Sequence, residues 1–431
     1  MQNIIVGILL LLTYFAFVYY AVRGGNLTVG FMVMTIAWTL IGMIPYHIAM
    51  VQVFAAPVTK YGGTIMYIIF GSWFGRVLVD TGIAGSISRQ TQKIGQKSPV
   101  LATILICLVT ALIFSSTYGV GSVIAIGVIL IPIMLQIGVP KNVAVSAFTL
   151  SIGAAMFINV VQFKQSSAFV PGVAYNAKFL RYGATAMAVQ LAVVIVFILV
   201  NARKIRKGTP TALEVDEEAA GITESSKREV HWFAYIVPII PVFCVIFLKW
   251  DAIPALLSAT LLAMLLTGYF KSYKGFVKFM NATITKAISD ISGLIIMLLI
   301  VVMFQAAAVK DTERFASLFS NIIPNNTFVI MLTFAILAPL ALFRGPLMLY
   351  GAGSATAAVF VGLNRFNPWF LYGLLTTPSY MAVSSDITQS WNLWSVNYTK
   401  LTIKEFMLTG VPWAWGAAIL QEIVAWSMFG R

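Results

Sequence analysis

The chain has 431 residues, 60% of them hydrophobic and 10% charged, with a formal net charge of +14 and a mean hydropathy of +0.91. A soluble domain of this length cannot cover so much apolar surface, so the composition describes a polytopic membrane protein. Its apolar runs are long and apolar on every face, which suits helices crossing a hydrocarbon core of roughly 30 Å and excludes barrel strands of about 10 residues with alternating polarity.

The first run, NIIVGILLLLTYFAFVYYA at 3–21, has no basic residue before it and no small-residue cleavage site after it, and reads as a retained span, not a signal peptide. Further runs follow at about 28–50, 62–80, 98–138, 142–163 and 182–200. A polar segment at 201–232 is too hydrophilic to enter a bilayer. The pattern then restarts, with runs at about 233–249, 252–270, 287–306, 327–362, 368–396 and 407–428 in the same order. Asp80-Thr81 and Asp311-Thr312 close matching runs, and YGVGS at 118–122 matches YGAGS at 350–354, at offsets of 231 and 232.

The expected fold is therefore all-α, with two repeats. The first occupies 1–200 with a re-entrant hairpin at about 98–138, a cytoplasmic linker fills 201–232, and the second repeat occupies 233–431 with a hairpin at about 327–362. Five simple spans plus one interrupted run give each half an odd number of crossings, so the second half is inverted, as in secondary transporters. With the linker inside, 17 basic residues face the cytoplasm, among them Arg23, Arg89, Lys93, Lys97, Lys227 and Arg228, against 9 outside, including Lys60, Lys164, Lys310 and Arg314. This asymmetry predicts both termini outside, in a multi-pass protein of the cell's inner (plasma) membrane. The segment 271–290 interleaves basic and apolar residues and is expected to lie on the cytoplasmic surface as an amphipathic helix.

Each interrupted run carries glycines and hydroxyls near its middle. Non-helical backbone at that depth survives only where it lines a protein-enclosed cavity, and freed amides and helix N-termini can hold an anion while carbonyls and hydroxyls can hold a cation. The first tip offers Ser115, Ser116, Thr117, Gly119, Gly121 and Ser122, and the second offers Gly351, Gly353 and Ser354. Close helix packing by small residues is the plain alternative, and the mirrored cluster weighs against it. Arg344 sits in the second run and calls for a substrate carboxylate, a fixed pair with Asp386 or Asp290, or snorkelling to an interface. Arg76 lies nearer a span end and reads as structural.

The run after each hairpin is also broken and polar, with Asn159 and Gln162 in the first half and Ser384, Ser385, Asp386, Thr388, Gln389 and Asn392 in the second. Asp386 and Thr388 are the ion-coupling candidates: desolvation suits Asp386 to proton coupling, with a sodium ligand or an ion pair to Arg344 as alternatives. Lone His47, Asp80, Asp290 and Glu422 carry weaker claims. Cys107 and Cys244 lie inside apolar runs, so neither a disulfide framework nor a metal cluster is available and no cofactor is called for. The basic residues mark span ends, which argues against nucleic acid as a partner.

The inverted halves, each with a hairpin and a broken polar span, resemble the ion transporter superfamily of carboxylate and cation carriers. Within it, GTIMYIIFGSWFGRVLVDTG through GSVIAIGVILIPIMLQIGVPKNVAV looks most like gluconate:proton symporters and the related citrate and C4-dicarboxylate permeases. The resemblance implies a homodimer with a moving hairpin domain, and hairpin tips that contact substrate and coupling ion, with Ser115 to Thr117 and Ser384 to Asp386 as the nearest matches. The expected function is thus symport of a small organic anion with a proton or sodium, the latter at the hairpin tips, by an elevator movement. A cation/proton antiporter of the same superfamily is the alternative. An ion channel would more naturally show rings of charge, and an enzyme would need a nucleophile or metal constellation that the sequence lacks.

Overall fold

Residues 2–22, 25–87, 98–209, 229–311, 323–351 and 353–431 are described by a computed structural model. Thr312, Ala352, Arg23, Arg89, Lys93, Lys97, Lys227, Arg228, Arg314 and the linker residues 210–228 lie outside the described residues. Among the described residues every regular element is helical. Helix α1 covers Gln2–Val22, α2 Leu27–Ile41, α3 Tyr46–Asp80, α4 Pro99–Phe114, α5 Val120–Gln136, α6 Lys141–Met156, α7 Val160–Ser167, α8 Ala177–Val200 and α9 Ala202–Lys207. After the linker, a tight turn at Trp232–Ile239 leads into α10, Ile240–Phe247. Then come α11 Ala252–Leu266, α12 Tyr273–Lys310, α13 Thr327–Leu337, α14 Gly353–Gly362, α15 Pro368–Ser385, α16 Ser390–Thr399 and α17 Ile403–Phe429.

Local chemistry sets the helix starts. Asn26, Asn176, Asn326 and Asn367 accept hydrogen bonds from first-turn amides that have no helical partner, Asp251 and Ser272 do the same for α11 and α12, and Thr402 with Glu405 closes a capping box on α17. Among the described residues four helical segments are long and apolar enough to cross a membrane, namely Tyr46–Asp80, Ala177–Val200, Tyr273–Lys310 and Thr327–Arg344; α6 and α7, bent by 66°, can make a fifth.

Two boundaries differ from the sequence expectation. The run at 28–50 ends at Ile41, because Gly42, Met43 with φ +54° and Pro45 cannot continue a helix; residues 46–50 instead open α3, whose next turn widens into a π segment ahead of Pro57. The segment 271–290 is not a separate surface helix. It is the first half of the 38-residue α12, held to α3 because Trp73 Nε1 donates to Thr283 Oγ1 and Ser72 Oγ donates to the Ala287 carbonyl.

The packing repeats across the two halves. Helices α3 and α12 pack on each other, and each takes the other half's short helix, α2 on α12 and α11 on α3. Likewise α6 packs on α8 as α15 packs on α17, with α8 against α17 and α6 against α15 completing a second group. The interrupted runs lie between the groups, where α5 touches α3 and α14 touches α12.

Close crossings depend on glycine. A Cβ on Gly183 would sit 2.2 Å from the Phe157 carbonyl oxygen, a backbone atom that cannot swing away, whereas one on Gly416 would meet nothing within 4 Å. Gly183→Ala is expected to cost about 1–3 kcal/mol and lower the melting temperature of the purified protein, with Gly416→Ala as the control that leaves it unchanged.

Candidate functional site

Both expected tips are breaks in the helix. At the first, α4 ends at Phe114, residues 115–119 are non-helical, and Gly119 takes φ +101°, a conformation that L side chains rarely adopt. Helices α4 and α5 rise roughly 24–26 Å each, so neither crosses a bilayer unaided. At the second, Phe343 and Arg344 both stand in the left-handed region, with φ +57° and +61°, at a cost of roughly 1–3 kcal/mol each. A chain of turns follows, in which Gly351 and Gly353 N–H groups both donate to the Met348 carbonyl. A Cβ on Gly351 would lie 2.5 Å from the Arg344 carbonyl, so the loop closes on itself only with glycine there. Gly121 lies in the first turn of α5.

The broken helices supply the partners that the freed backbone needs. Asn159, between α6 and α7, donates from Nδ2 to the carbonyls of Phe114 (2.9 Å) and Thr117 (2.8 Å) and accepts the Gln162 amide at 2.9 Å. Asn392 does the corresponding work in the second half, donating to the Val383 (3.2 Å) and Asp386 (2.9 Å) carbonyls. The two broken helices cross where a Cβ on Gly153 would collide with the Ser384 hydroxyl. The rings of Phe157 and Tyr380 meet there edge to face, 4.9 Å apart.

The tyrosines of the two pentapeptides converge on one short helix. Tyr118 donates to Gln165 Oε1 at 3.1 Å, while the Tyr350 hydroxyl accepts from Gln162 Nε2 at 2.5 Å and bonds Ser166 Oγ at 2.6 Å. Ser166 also bonds the Tyr380 hydroxyl at 2.9 Å. Helix α7 therefore holds both tips. Sequence reasoning placed Gln162 but missed Tyr118, Tyr350, Gln165, Ser166 and Tyr380, although the matched Tyr before each Gly-X-Gly-Ser was the available signal.

The expected hydroxyls have their protons committed. Ser115, Thr117, Ser122, Ser354, Ser384 and Ser385 donate to carbonyls of their own segments, and Ser116 donates to the Pro238 carbonyl at 2.5 Å. Such hydroxyls present only lone pairs, which suits a cation. Asp386 is fully buried at the break between α15 and α16, accepting from the Thr388 amide at 2.9 Å and its hydroxyl at 2.6 Å.

Arg344 makes no fixed ion pair with Asp386 or Asp290 within 4.0 Å. Its Nη2 donates to the Thr388 carbonyl at 3.2 Å and Gln389 Oε1 at 3.0 Å, with Asp386 and Tyr118 within electrostatic range. The Arg344 Nε and the Gln165 Nε2 are buried donors without partners, and Asn392 Oδ1 is a buried acceptor without one. Gln165 bonds Tyr118 through its other side-chain atom, Oε1. By contrast, Arg76 forms a buried bidentate pair with Asp80 at 2.8 and 2.6 Å, a structural role. His47 is exposed, Asp290 half-buried, and Glu422 fully buried with neither oxygen hydrogen-bonded.

This is an all-α polytopic membrane protein whose polar breaks meet in its interior. Its fold is similar to that of the Alcanivorax borkumensis YdaH transporter, with a TM-score of 0.62 at 11% sequence identity over 94% of this chain and 99% of that one. No family model matches the chain, and no curated protein matches it by sequence.

The Asn159 bonds hold the first tip to the broken helix. Asn159→Ala leaves two buried carbonyls unpaired and is expected to destabilise the protein by about 1–3 kcal/mol, read as a lower melting temperature in detergent.

Proposed function

We propose that the protein is a secondary active transporter that carries a small organic anion in symport with a proton or sodium ion. The observation that carries this reading is the unpartnered buried Nε of Arg344, a cationic donor with no carboxylate within 4.0 Å among the described residues. Left unsatisfied it costs about 1–3 kcal/mol or more, and the carboxylate of a bound anion would satisfy it. The YdaH likeness in fold supports transport as the class of activity.

Cation coupling fits the acceptor-only hydroxyls around both breaks and the buried Asp386 with Thr388. The recurrent element order fits inverted repeats at 1–200 and 233–431, and the separation of the α3–α12 group from the α6–α8–α15–α17 group fits an elevator movement of one against the other. A homodimer, with both termini outside and the linker in the cytoplasm, belongs to the same reading. Cation/proton antiport is favoured instead if Asp386 acts without Arg344.

Uptake of gluconate, citrate and C4-dicarboxylates into proteoliposomes, with pH and sodium gradients imposed separately, tests the proposal. Saturable uptake driven by one gradient is expected; uptake of none, or indifference to both gradients, overturns it. Arg344→Gln should reduce uptake at least 10-fold, by roughly 1.4 kcal/mol or more of lost anion binding, without lowering the melting temperature. Asp386→Asn should abolish the response to the driving gradient, and persistence of an unchanged pH dependence removes Asp386 as the proton-coupling group.

A further inference from the structure

A second basic site lies away from Arg344. Helices α3, α7 and α12 border an open cavity of about 600 Å³, within the range of small-molecule sites. Lys60, Lys164 and Lys310 line it, one from each helix, and among the described residues no carboxylate does. The ammonium of Lys164 stands 4.4 Å from the centre of the Tyr67 ring, and Lys310 donates to Gln52 Oε1 at 2.5 Å. Each ammonium has three donors, so these contacts leave capacity for a ligand. The neighbouring acid Asp251 is turned to other work, accepting from the Tyr67 hydroxyl at 2.7 Å and the Ile253 amide at 3.0 Å.

Tyr61 also lines the cavity, with its hydroxyl buried in the protein and the residue only 4% exposed. We infer that this cavity binds a small anion bearing two or more negative charges, bridged by Lys164 and Lys310. Three like charges around one cavity repel one another, and a multivalent anion offsets that repulsion where a monovalent one does so only in part. The multiple charge follows from the cavity alone; the choice of a di- or tricarboxylate over another anion rests on the proposed function.

Calorimetric titration of citrate, succinate and gluconate into the full-length Arg344→Gln variant, in zwitterionic nanodiscs at low salt, isolates this site from the one at Arg344. Saturable binding is expected in the order citrate, succinate, gluconate, weakening as salt rises. Lys164→Gln and Lys310→Gln should each weaken citrate binding about five-fold or more at unchanged melting temperature, and Lys164→Arg should restore it. Absence of citrate binding, or equal affinity for citrate and gluconate, overturns the inference. Loss of citrate binding in nanodiscs containing phosphatidylglycerol identifies a lipid headgroup as the occupant and overturns it as well. Citrate binding here without uptake by the wild-type protein would remove the transport reading and leave this site standing.

Discussion

A helix that stops inside a hydrocarbon slab leaves carbonyls and amides with no water to take them, and each costs several kcal/mol unless protein supplies a partner. The first interrupted run meets that demand through Asn159, whose one side chain caps Phe114 and Thr117 across the break while its oxygen starts α7. Asn392 meets it within its own segment. In the first half one interruption is thus stabilised by another, and in the second the broken helix stabilises itself.

These breaks set the chemistry. Hydroxyls near the breaks spend their protons on carbonyls and turn lone pairs outward, so they cannot also donate to an anion. Donor capacity is left to the Arg344 guanidinium and the Gln165 amide. Arg344 is held by a carbonyl and a side-chain amide, not by a carboxylate, so its charge is oriented but not neutralised by direct contact.

Much of this was legible in the chain. The doubled run of apolar segments, the breaks at 115–119 and 342–351, and the polar character of 386–392 follow from hydropathy and from glycine and hydroxyl placement. Asn159, Gln162, Arg344 and Asp386 stood out because a polar group in an apolar run has to be explained. What sequence hid was long-range. Gln165 and Ser166 sit in a mixed segment where polar residues draw no notice, and Tyr350 reaches α7 across 184 and 188 positions, a distance that no local pattern reports. The joining of 271–290 to the following span was hidden too, because a basic, amphipathic stretch reads as interfacial until Trp73 and Ser72 are seen to bind it.

Helix α7 is eight residues long and spans roughly 12 Å, short enough to move as one rigid piece. Gln162, Gln165 and Ser166 all lie on it, so the tyrosines of both pentapeptides are fastened to a single lever. A tilt of α7 pulls on both tips at once, and a pull on either tip is returned to the other through the same few atoms. Lys164 stands on that lever as well, at the wall of the lysine-lined cavity, so whatever pairs with its ammonium is one helical turn from both tethers.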